Sequence, residues 1–260
     1  AILSVCRYTY GATPVFVGLN NYINVLKNDR FWSANGFTLF TMVISIPIKL
    51  ILGMALALLL CQIKNKVGKA IFIAGALLPY IITPVVGTMM FSWLFRDTWG
   101  LVSYYLSEIG INIAWFSDPT AAKALVIIHQ IWGGTCFDFL VFYSGLLAMP
   151  QGPLNAVVVE GANLWQKLRF VILPYCSPLI LFIVTMNIMD SYRLYDSVAV
   201  MTKGGPGTAT ETVQFLAYQT AFSQNNLGQA SAQAVLSVIG ITLLIMPCLY
   251  LMYKEHKAGS

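Results

Sequence analysis

Charge is scarce in this sequence. Asp, Glu, Lys and Arg make up 10% of its 260 residues and hydrophobic residues 58%, whereas about a quarter of the residues of a soluble domain are charged. The five cysteines are scattered singly, without the CxxC or Cys/His spacing of a metal site, and are predicted to be buried packing residues. The net charge is +5, but the basic residues form no patch with interleaved aromatic residues. This distribution argues against nucleic-acid binding. The composition favours a protein of the lipid bilayer.

Motifs for nucleotide binding and for catalysis are missing as well. GGPGTATE, residues 204–211, lacks the Lys and Ser/Thr that end a phosphate-cradling loop. His129 is the only histidine near a hydrophobic stretch, no HExxH or GxSxG pattern accompanies it, and Ser144 lacks a nucleophile elbow. We therefore expect no catalytic residue, no metal ligand and no cofactor site in this chain.

Long apolar stretches are what the sequence has instead. Because a helix needs about 20 apolar residues to cross the hydrocarbon layer, five stretches are predicted to be transmembrane helices. The apolar residues before Arg7 are interpreted as the end of a truncated first helix, with a signal peptide as the alternative. We predict an all-α polytopic membrane protein, a single transmembrane domain of about six helices over residues 1–260. The predicted spans are the fragment 1–9 and residues 33–62, 69–95, 121–149, 174–201 and 231–253.

Basic residues near the ends of these stretches predict the orientation. Cytoplasmic loops carry an excess of Lys and Arg, and three short segments do so here, whereas the basic residues of the other side are spread among acidic ones in longer loops. Residues 150–173 are therefore predicted to form a cytoplasmic loop. The basic residues of the three segments are Lys64, Lys66, Lys69, Lys167, Arg169, Lys254 and Lys257.

Three prolines lie inside the predicted spans. Pro47, Pro79 and Pro84 are expected to bend their helices and to free carbonyl groups that neighbours or water must satisfy. Bent helices suit a cavity, and simple packing irregularity is an equal alternative.

The cytoplasmic loop 150–173 has helical spacing twice, interrupted at Gly161. A glycine can adopt a positive φ at no steric cost, so we predict two short amphipathic helices joined by a turn, with Pro174 in the first turn of the next helix. Their apolar faces need cover, either from the lipid headgroups or from a groove on a partner protein, and the residues alone leave both open. The apolar positions are Leu154, Val157, Val158, Leu164, Trp165 and Leu168.

Residues 149–174, MPQGPLNAVVVEGANLWQKLRFVILP, resemble the signature IPxxLYEAAxxDGAxxxQxFxxIxLP of a known family. The signature belongs to inner-membrane permease subunits of binding-protein-dependent ABC importers, especially the carbohydrate-uptake group. FVGLNNY at 16–22, LLPYIITPVVGTMMFSWLF at 77–95 and TKGGPGTATETV at 202–213 look like the same group, in matching order. The resemblance covers nearly the whole chain and implies a multi-pass protein of the bacterial inner membrane, which makes half of the translocation pathway for a sugar or related solute.

The resemblance also implies partners and roles. In the family the two short helices are coupling helices that dock in a cleft of a cytoplasmic ATPase. Two ATPase subunits that bind ATP and Mg, a second permease subunit of a different chain, an external solute-binding protein touching the loop 202–212, and membrane lipid are the implied partners. The coupling residues carried over by position are Asn155, Ala156, Glu160, Gly161, Ala162 and Pro174.

One coupling position departs from the family pattern. The glutamate of the family's Glu-Ala-Ala triplet falls on Asn155, and the second alanine falls on Val157. Asn can accept a hydrogen bond from an arginine but supplies no charge. Either the contact with the ATPase is neutral, or Glu160 has taken over more of it.

Ionisable residues at membrane depth usually face a cavity or a partner. Asp190 and Arg193 are three apart on one predicted helix and either pair or serve the solute. Lys49 either neutralises Asp138 across helices or lines the pathway with it.

Sugars are bound by aromatic faces and by side-chain hydrogen bonds to hydroxyl groups. Trp132, Phe137, Asn187 and Ser191 fall on positions that resemble those lining the sugar site of maltose-type permeases, and Asn187 and Ser191 share a helix face. Alternatively, the two aromatic residues pack helices and Asn187 is an interhelical hydrogen bonder. The candidate pathway residues are Trp132, Phe137, Asp138, Asn187, Asp190 and Ser191.

Two other function classes are weighed against the importer subunit. An ion-coupled secondary carrier would need an internal repeat and broken half-helices around an ion site, and no clear repeat relates the two halves. An intramembrane enzyme would need the catalytic patterns that the sequence lacks.

Overall fold

The computed structural model of the protein describes residues 2–9, 11, 13–150, 152 and 161–259, and long apolar helices dominate it. The short strands β1 (Cys6–Arg7) and β2 (Val15–Phe16) form an antiparallel pair. The helices are α1 (Asn20–Leu26), α2 (Asp29–Gln62), α3 (Lys66–Ile81), α4 (Pro84–Leu94), α5 (Leu101–Glu108), α6 (Pro119–Leu147), α7 (Leu164–Lys167), α8 (Leu173–Tyr192), α9 (Val213–Tyr218) and α10 (Leu227–Gly259).

Four of the described helical runs are long and apolar enough to cross a membrane. They are Asp29–Gln62, Pro119–Leu147, Leu164–Tyr192 and Leu227–Lys254, and α3 with α4 makes a fifth if the broken pair counts as one span. Large apolar side chains point outward along them, as at Val43, Ile51 and Ile71, each 68% exposed, which a lipid environment favours. The predicted all-α polytopic fold is confirmed, and six is an approximate count of its helices.

The N-terminal residues differ from the prediction. Residues Ile2–Val5 form a 3₁₀ turn that leads into β1, where the end of a transmembrane helix was expected. Asn21 Nδ2 donates to the carbonyl oxygens of Ser4 and Cys6, at 2.8 and 2.9 Å, and Val17 N donates to Val5 O at 2.9 Å. Backbone carbonyl groups of this apolar stretch accept hydrogen bonds from Asn21 and Val17. The stretch therefore does not need helical hydrogen bonds to satisfy these groups.

The span predicted at 174–201 begins and ends earlier. A continuous helical run extends from Leu164 to Tyr192. Pro174 is the second residue of α8, in its first turn as predicted, but α7 and a π-helical turn lead into α8 without a break. The π-helical turn Leu168–Ile172 comes just before it, and Leu173 N donates to Leu168 O across this wider turn. The wider turn accommodates Pro174 because it relieves the clash of a proline ring with the carbonyl four residues earlier.

Of the three prolines predicted to bend their helices, only Pro84 lies at a helix break. Pro47 lies inside α2 and Pro79 inside α3, and a bend at either residue stays a prediction. Pro84 is the first residue of α4. The N–H group of any residue at this position lacks an acceptor within the helix, so a proline there costs no hydrogen bond. Thr83 before it is extended, the conformation that a residue preceding proline prefers. The stretch predicted as one span over 69–95 is therefore broken at residues 82–83.

The chain divides into two compact units, which share helices α2, α6, α8 and α10. The first unit is Ala1–Ser45, Ile82–Gln130 and Ile188–Leu244, and the second is Ile46–Ile81, Ile131–Asn187 and Ile245–Ser260. Within the first unit, Val25, Phe31, Ala34, Val213, Leu216 and Ala232 form one apolar core. The core of the second unit contains Met54, Ala57, Leu60, Phe139, Phe142, Met149, Ile172, Cys176 and Ile183.

Candidate functional site

The predicted coupling segment is described from Gly161 onward. Asn155, Ala156 and Glu160 lie outside the described residues. Gly161 has a φ of +74°, the left-handed conformation predicted for this turn, which residues with a Cβ rarely adopt. Ala162 follows it and is half-buried. The chain thus turns at Gly161 before α7 begins.

A capping box starts α7. Asn163 Oδ1 accepts a hydrogen bond from Gln166 N at 2.8 Å, and Gln166 Oε1 accepts one from Asn163 N at 2.9 Å. This reciprocal pair satisfies backbone donors that a helix start leaves open. The Asn-x-x-Gln spacing is its sequence signal, although the predicted coupling residues do not include it. Leu164 and Trp165 are 80% and 63% exposed, so an apolar surface stands at the start of the long run.

Lys49, Asn187 and Asp138 form a buried network in the second unit. Their exposed fractions are 1%, 3% and 0%. Lys49 Nζ donates to Asn187 Oδ1, and Asn187 Nδ2 donates to both carboxylate oxygens of Asp138, at 2.9 and 3.1 Å. Charge fixes the orientation of the amide, because an ammonium group has no acceptor and a carboxylate has no donor. Asn187 therefore bridges the two opposite charges.

The network joins three helices. Lys49 lies on α2, Asp138 on α6 and Asn187 on α8, so two of the predicted pathway residues meet and are held by the third side chain. A buried charge is tolerated only when it is paired and hydrogen-bonded. This arrangement agrees with the predicted neutralisation of Asp138 and with the interhelical role of Asn187.

The two predicted aromatic residues lie on α6 in the second unit. The Phe137 side chain is half-buried, and its ring centroid is 6.4 Å from that of Phe182 on α8. Trp132 is 36% exposed. Phe137 thus packs between helices, and a solute contact at either residue stays a prediction.

Ser191 belongs to the first unit, where it meets a residue that the predicted set lacks. Ser191 is buried, and its Oγ accepts a hydrogen bond from Gln130 Nε2 at 3.1 Å. Gln130 Oε1 is buried and has no hydrogen-bond partner among the described residues. An unmatched buried acceptor is costly, so this oxygen is suited to a hydroxyl donor. An amide inside an apolar helix is the sequence signal for Gln130.

Asp190 and Arg193 do not form the ion pair that was one of the two alternatives for these residues. Both side chains are exposed, and the described contact between them is a backbone one, in which Arg193 N donates to Asp190 O at 3.2 Å. Because α8 ends at Tyr192, Arg193 lies past the helix end. The three-residue spacing therefore does not place the two side chains on one helix face.

Polar contacts hold the segment 202–213 in the first unit. Arg30 Nε donates to Glu211 Oε2 at 2.6 Å, and Arg30 Nη2 donates to Glu211 Oε1 and, at 2.6 Å, to Gln219 Oε1. The Glu211 side chain is only 3% exposed. Thr210 Oγ1 donates to Thr202 Oγ1 at 2.7 Å. This glycine-rich segment is therefore tied to the start of α2 and to the end of α9.

Among the described residues, no cluster of three or more His, Cys, Asp or Glu residues could hold a metal ion. The five cysteines are free thiols, and Cys136 and Cys176 are buried, as predicted for packing residues. The prediction is wrong for Cys61, which is exposed, and Cys6 and Cys248 are half-buried.

Comparison with known proteins links these features to a family. No family model matches the chain. The trehalose transport system permease protein SugA of Mycobacterium tuberculosis is 32% identical over 228 residues, which cover 86% of this chain and 72% of that protein. A bacterial ABC transporter that imports the acidic polysaccharide alginate has a TM-score of 0.83 at 17% identity, covering 92% of this chain and 84% of that chain.

A second structure has the same fold. It is an alginate ABC transporter in complex with an alginate pentasaccharide-bound periplasmic protein, with a TM-score of 0.79 at 18% identity, covering 89% of this chain and 81% of that chain. The identity to SugA extends over most of the chain, and the helical membrane fold agrees with it. The chain therefore belongs to the permease proteins of ABC transporters, in the carbohydrate-uptake group, as a multi-pass protein of the inner membrane.

Proposed function

We propose that this permease forms half of the translocation pathway of an ATP-driven importer for a sugar or a related solute. The name of SugA gives trehalose as its solute, and that of the solved transporter gives alginate. Both solutes are carbohydrates. The observation that carries the proposal is the coupling segment, in which a left-handed glycine and a capped helix start lead directly into a membrane-spanning run.

ATPase subunits are the partners proposed for that segment. The exposed Leu164 and Trp165 are apolar side chains of the kind that a groove on a partner protein buries. A nucleotide-dependent ATPase shifts the permease between conformations only if it binds one of them more tightly than the other. Two ATPase subunits would supply the ATP and Mg sites, and Asn155, Ala156 and Glu160 would complete the contact.

A second permease subunit of a different chain and an external solute-binding protein complete the proposed assembly. The segment 202–213 is the proposed contact for the binding protein. The Arg30–Glu211 pair holds this segment in place before any partner arrives, and a pre-ordered surface loses less conformational entropy on binding.

The solute is proposed to pass the six predicted pathway residues and Gln130. Trp132 offers an aromatic face, and Ser191 with Gln130 offers hydrogen-bonding groups to sugar hydroxyls. Phe137 lies on α6 and Asp190 on α8, and both stay in the proposed set. Asp138 and Asn187 act from within their network with Lys49, where they hold the helices that present the other groups.

Reconstitution into proteoliposomes tests the proposal. The chain would be assembled with its second permease, its ATPases and its binding protein, and uptake of radiolabelled oligosaccharides would be measured. We expect uptake that requires ATP and is lost when the binding protein or the ATPase is omitted. Uptake by the chain alone under an ion gradient would overturn the proposal in favour of a secondary carrier.

A further inference from the structure

A groove with two lysines lies in the second unit, apart from the pathway residues. Its volume is about 810 Å³, and it is lined by the end of α2, the start of α3, the end of α6 and the run from α7 to Ile172. We call it the basic groove. Ligand sites of small molecules have volumes of about 300–1,000 Å³, so the basic groove is large enough to hold one.

The walls of the basic groove are mainly apolar. Leu58 of α2, Leu146 of α6 and Ile172 of the π-helical turn all line it. Trp165 lines it too and is 63% exposed, and tryptophan is enriched where hydrocarbon meets the headgroup layer. Because α2, α3 and α6 each end or begin at the groove, it lies at the level where these helices leave the hydrocarbon.

Lys69 and Lys167 supply the positive charge. Both line the groove and both are half-buried. Lys69 Nζ is 5.2 Å from the centroid of the Tyr143 ring, so its ammonium group lies over an aromatic face. Within the described part of the chain neither ammonium group forms an ion pair. Two partly buried cations beside apolar walls fit a ligand with an anionic head and an apolar tail.

We propose that the basic groove binds an anionic membrane phospholipid of the inner leaflet. Lys69 and Lys167 contact its phosphate, and the walls at Leu58, Leu146 and Ile172 receive its acyl chains. Basic pockets between transmembrane helices on the cytoplasmic side are suited to phospholipid headgroups, and lysine stems can lie along an apolar surface while the ammonium groups reach the phosphate. The groove shares Trp165 with the coupling segment proposed above, whereas Lys69 and Lys167 have no part in that coupling contact.

Lipid retention by the purified complex tests this site. The complex would be delipidated in a zwitterionic detergent and titrated with phosphatidylglycerol, with phosphatidylcholine as the neutral lipid. Native mass spectrometry would count bound lipid and the thermal midpoint would report stabilisation. Lys69→Gln/Lys167→Gln is the test variant. The matched control is Lys64→Gln/Lys66→Gln, which removes the same charge from exposed lysines outside the groove.

We expect phosphatidylglycerol to be retained by the wild type and by the control, and phosphatidylcholine to be displaced. Each lost lysine should weaken retention by about fivefold, since one lysine near an anionic lipid surface contributes about 1 kcal/mol. If the double variant does not fold, the two single variants carry the same comparison, because each keeps one ammonium group.

Three results would overturn the proposal. If the control variant loses as much phosphatidylglycerol as the test variant, the lipid is attracted to the basic surface in general and not bound in the groove. Equal stabilisation by glycerol 3-phosphate, which shares the headgroup but has no acyl chains, would mean an anion site. Unchanged lipid retention with loss of ATPase association in the test variant would mean that the groove holds a protein segment. Because uptake is not measured, failure here leaves the proposed transport function standing.

Discussion

Gly53 of α2 lies directly against Asp138 of α6. A Cβ on Gly53 would be 2.9 Å from Asp138 Cβ and 3.0 Å from Phe139 N. The same helix pair has a second close contact, in which the glycine lies on α6 and the charged residue on α2. A Cβ on Gly134 of α6 would be 2.8 Å from Lys49 Cδ. Each helix places a glycine opposite the charged residue of the other, and small residues let helices in a membrane approach closely. This approach allows Lys49 and Asp138 to reach Asn187.

Gly53→Ala should therefore destabilise the protein. The added methyl group has to displace backbone atoms of α6, and overpacking of this kind costs about 1–3 kcal/mol. Thermal unfolding in detergent would measure the effect as a lower midpoint. Gly75→Ala is the matched control, since Gly75 lies on α3 with nothing within 4 Å of its added Cβ. The control should be neutral or stabilised by up to about 1 kcal/mol through helix propensity. Equal effects at the two positions would contradict the close approach.

Lys49→Met should be more damaging. It removes the cation and leaves the Asp138 charge buried, which costs about 3–5 kcal/mol. Lys49→Met/Asp138→Asn removes both charges and should recover most of the thermal midpoint. A double variant no more stable than Lys49→Met would show that the network does not pair these charges.

Uptake by the double variant then decides the role of Asp138. If stability and uptake are both recovered, the carboxylate serves the helix packing alone. If stability returns without uptake, at least one of the two charged groups serves the solute, as the pathway alternative for Lys49 and Asp138 predicts.

Glu211→Gln should loosen the segment 202–213. The variant keeps the shape of the side chain but removes the charge that receives two hydrogen bonds from Arg30, and charged hydrogen bonds contribute about 1.5–3 kcal/mol. Limited proteolysis should cut the segment faster than in the wild type. Glu108→Gln is the control, because Glu108 is exposed at the end of α5. Unchanged proteolysis of Glu211→Gln would mean that the pair does not hold the segment.

Gly161→Leu should uncouple ATP hydrolysis from uptake. The left-handed conformation at φ +74° costs a residue with a Cβ about 1–2 kcal/mol, so the turn should open while the complex still assembles. Gly161→Asn should keep uptake, because Asn tolerates this conformation. Gly110→Leu introduces the same strain at another left-handed glycine, φ +81°, and should keep uptake. Normal uptake by Gly161→Leu would argue strongly against the docking role of the turn.

Ser191→Ala should raise the KM for uptake. The variant removes the hydroxyl group that is proposed to bond the solute and that holds Gln130 in place by accepting its hydrogen bond. The loss of one hydrogen bond to the solute, about 1 kcal/mol, corresponds to roughly fivefold in affinity. Ser237→Ala is the control, since Ser237 Oγ donates to a carbonyl of its own helix, that of Gln233. An unchanged KM for Ser191→Ala would remove Ser191 from the pathway.

The spans were predictable because hydrophobic length is a local property. The start of the long run and the stub before Arg7 were predicted wrongly. The run starts at Leu164, before Pro174, because a π-helical turn joins α7 to α8, and no residue pattern in the sequence indicates that turn. The stub seemed helical because it is apolar, but its backbone is satisfied by Asn21, a residue beyond the next turn of the chain.

Single candidate residues could be picked out from the sequence, but their contacts with one another could not. An interhelical hydrogen bond was one alternative for Asn187, and neutralisation of Asp138 one alternative for Lys49, yet only the packing of three helices shows that Asn187 lies between them. The ion-pair alternative for Asp190 and Arg193 failed because it assumed a helix that continues past Tyr192. Gln130 was missed because its importance depends on Ser191, which is distant in sequence.

The uninterrupted run that begins at Leu164 has a mechanical consequence. The stretch from Leu164 to Asn187 lies within one compact unit and, at about 1.5 Å per residue, is roughly 36 Å long. No loop interrupts it, so a tilt of the end that carries Trp165 would also move the amide between Lys49 and Asp138. If ATPase subunits bind that end, as proposed, their movement would reach the buried charge pair through one continuous helical run.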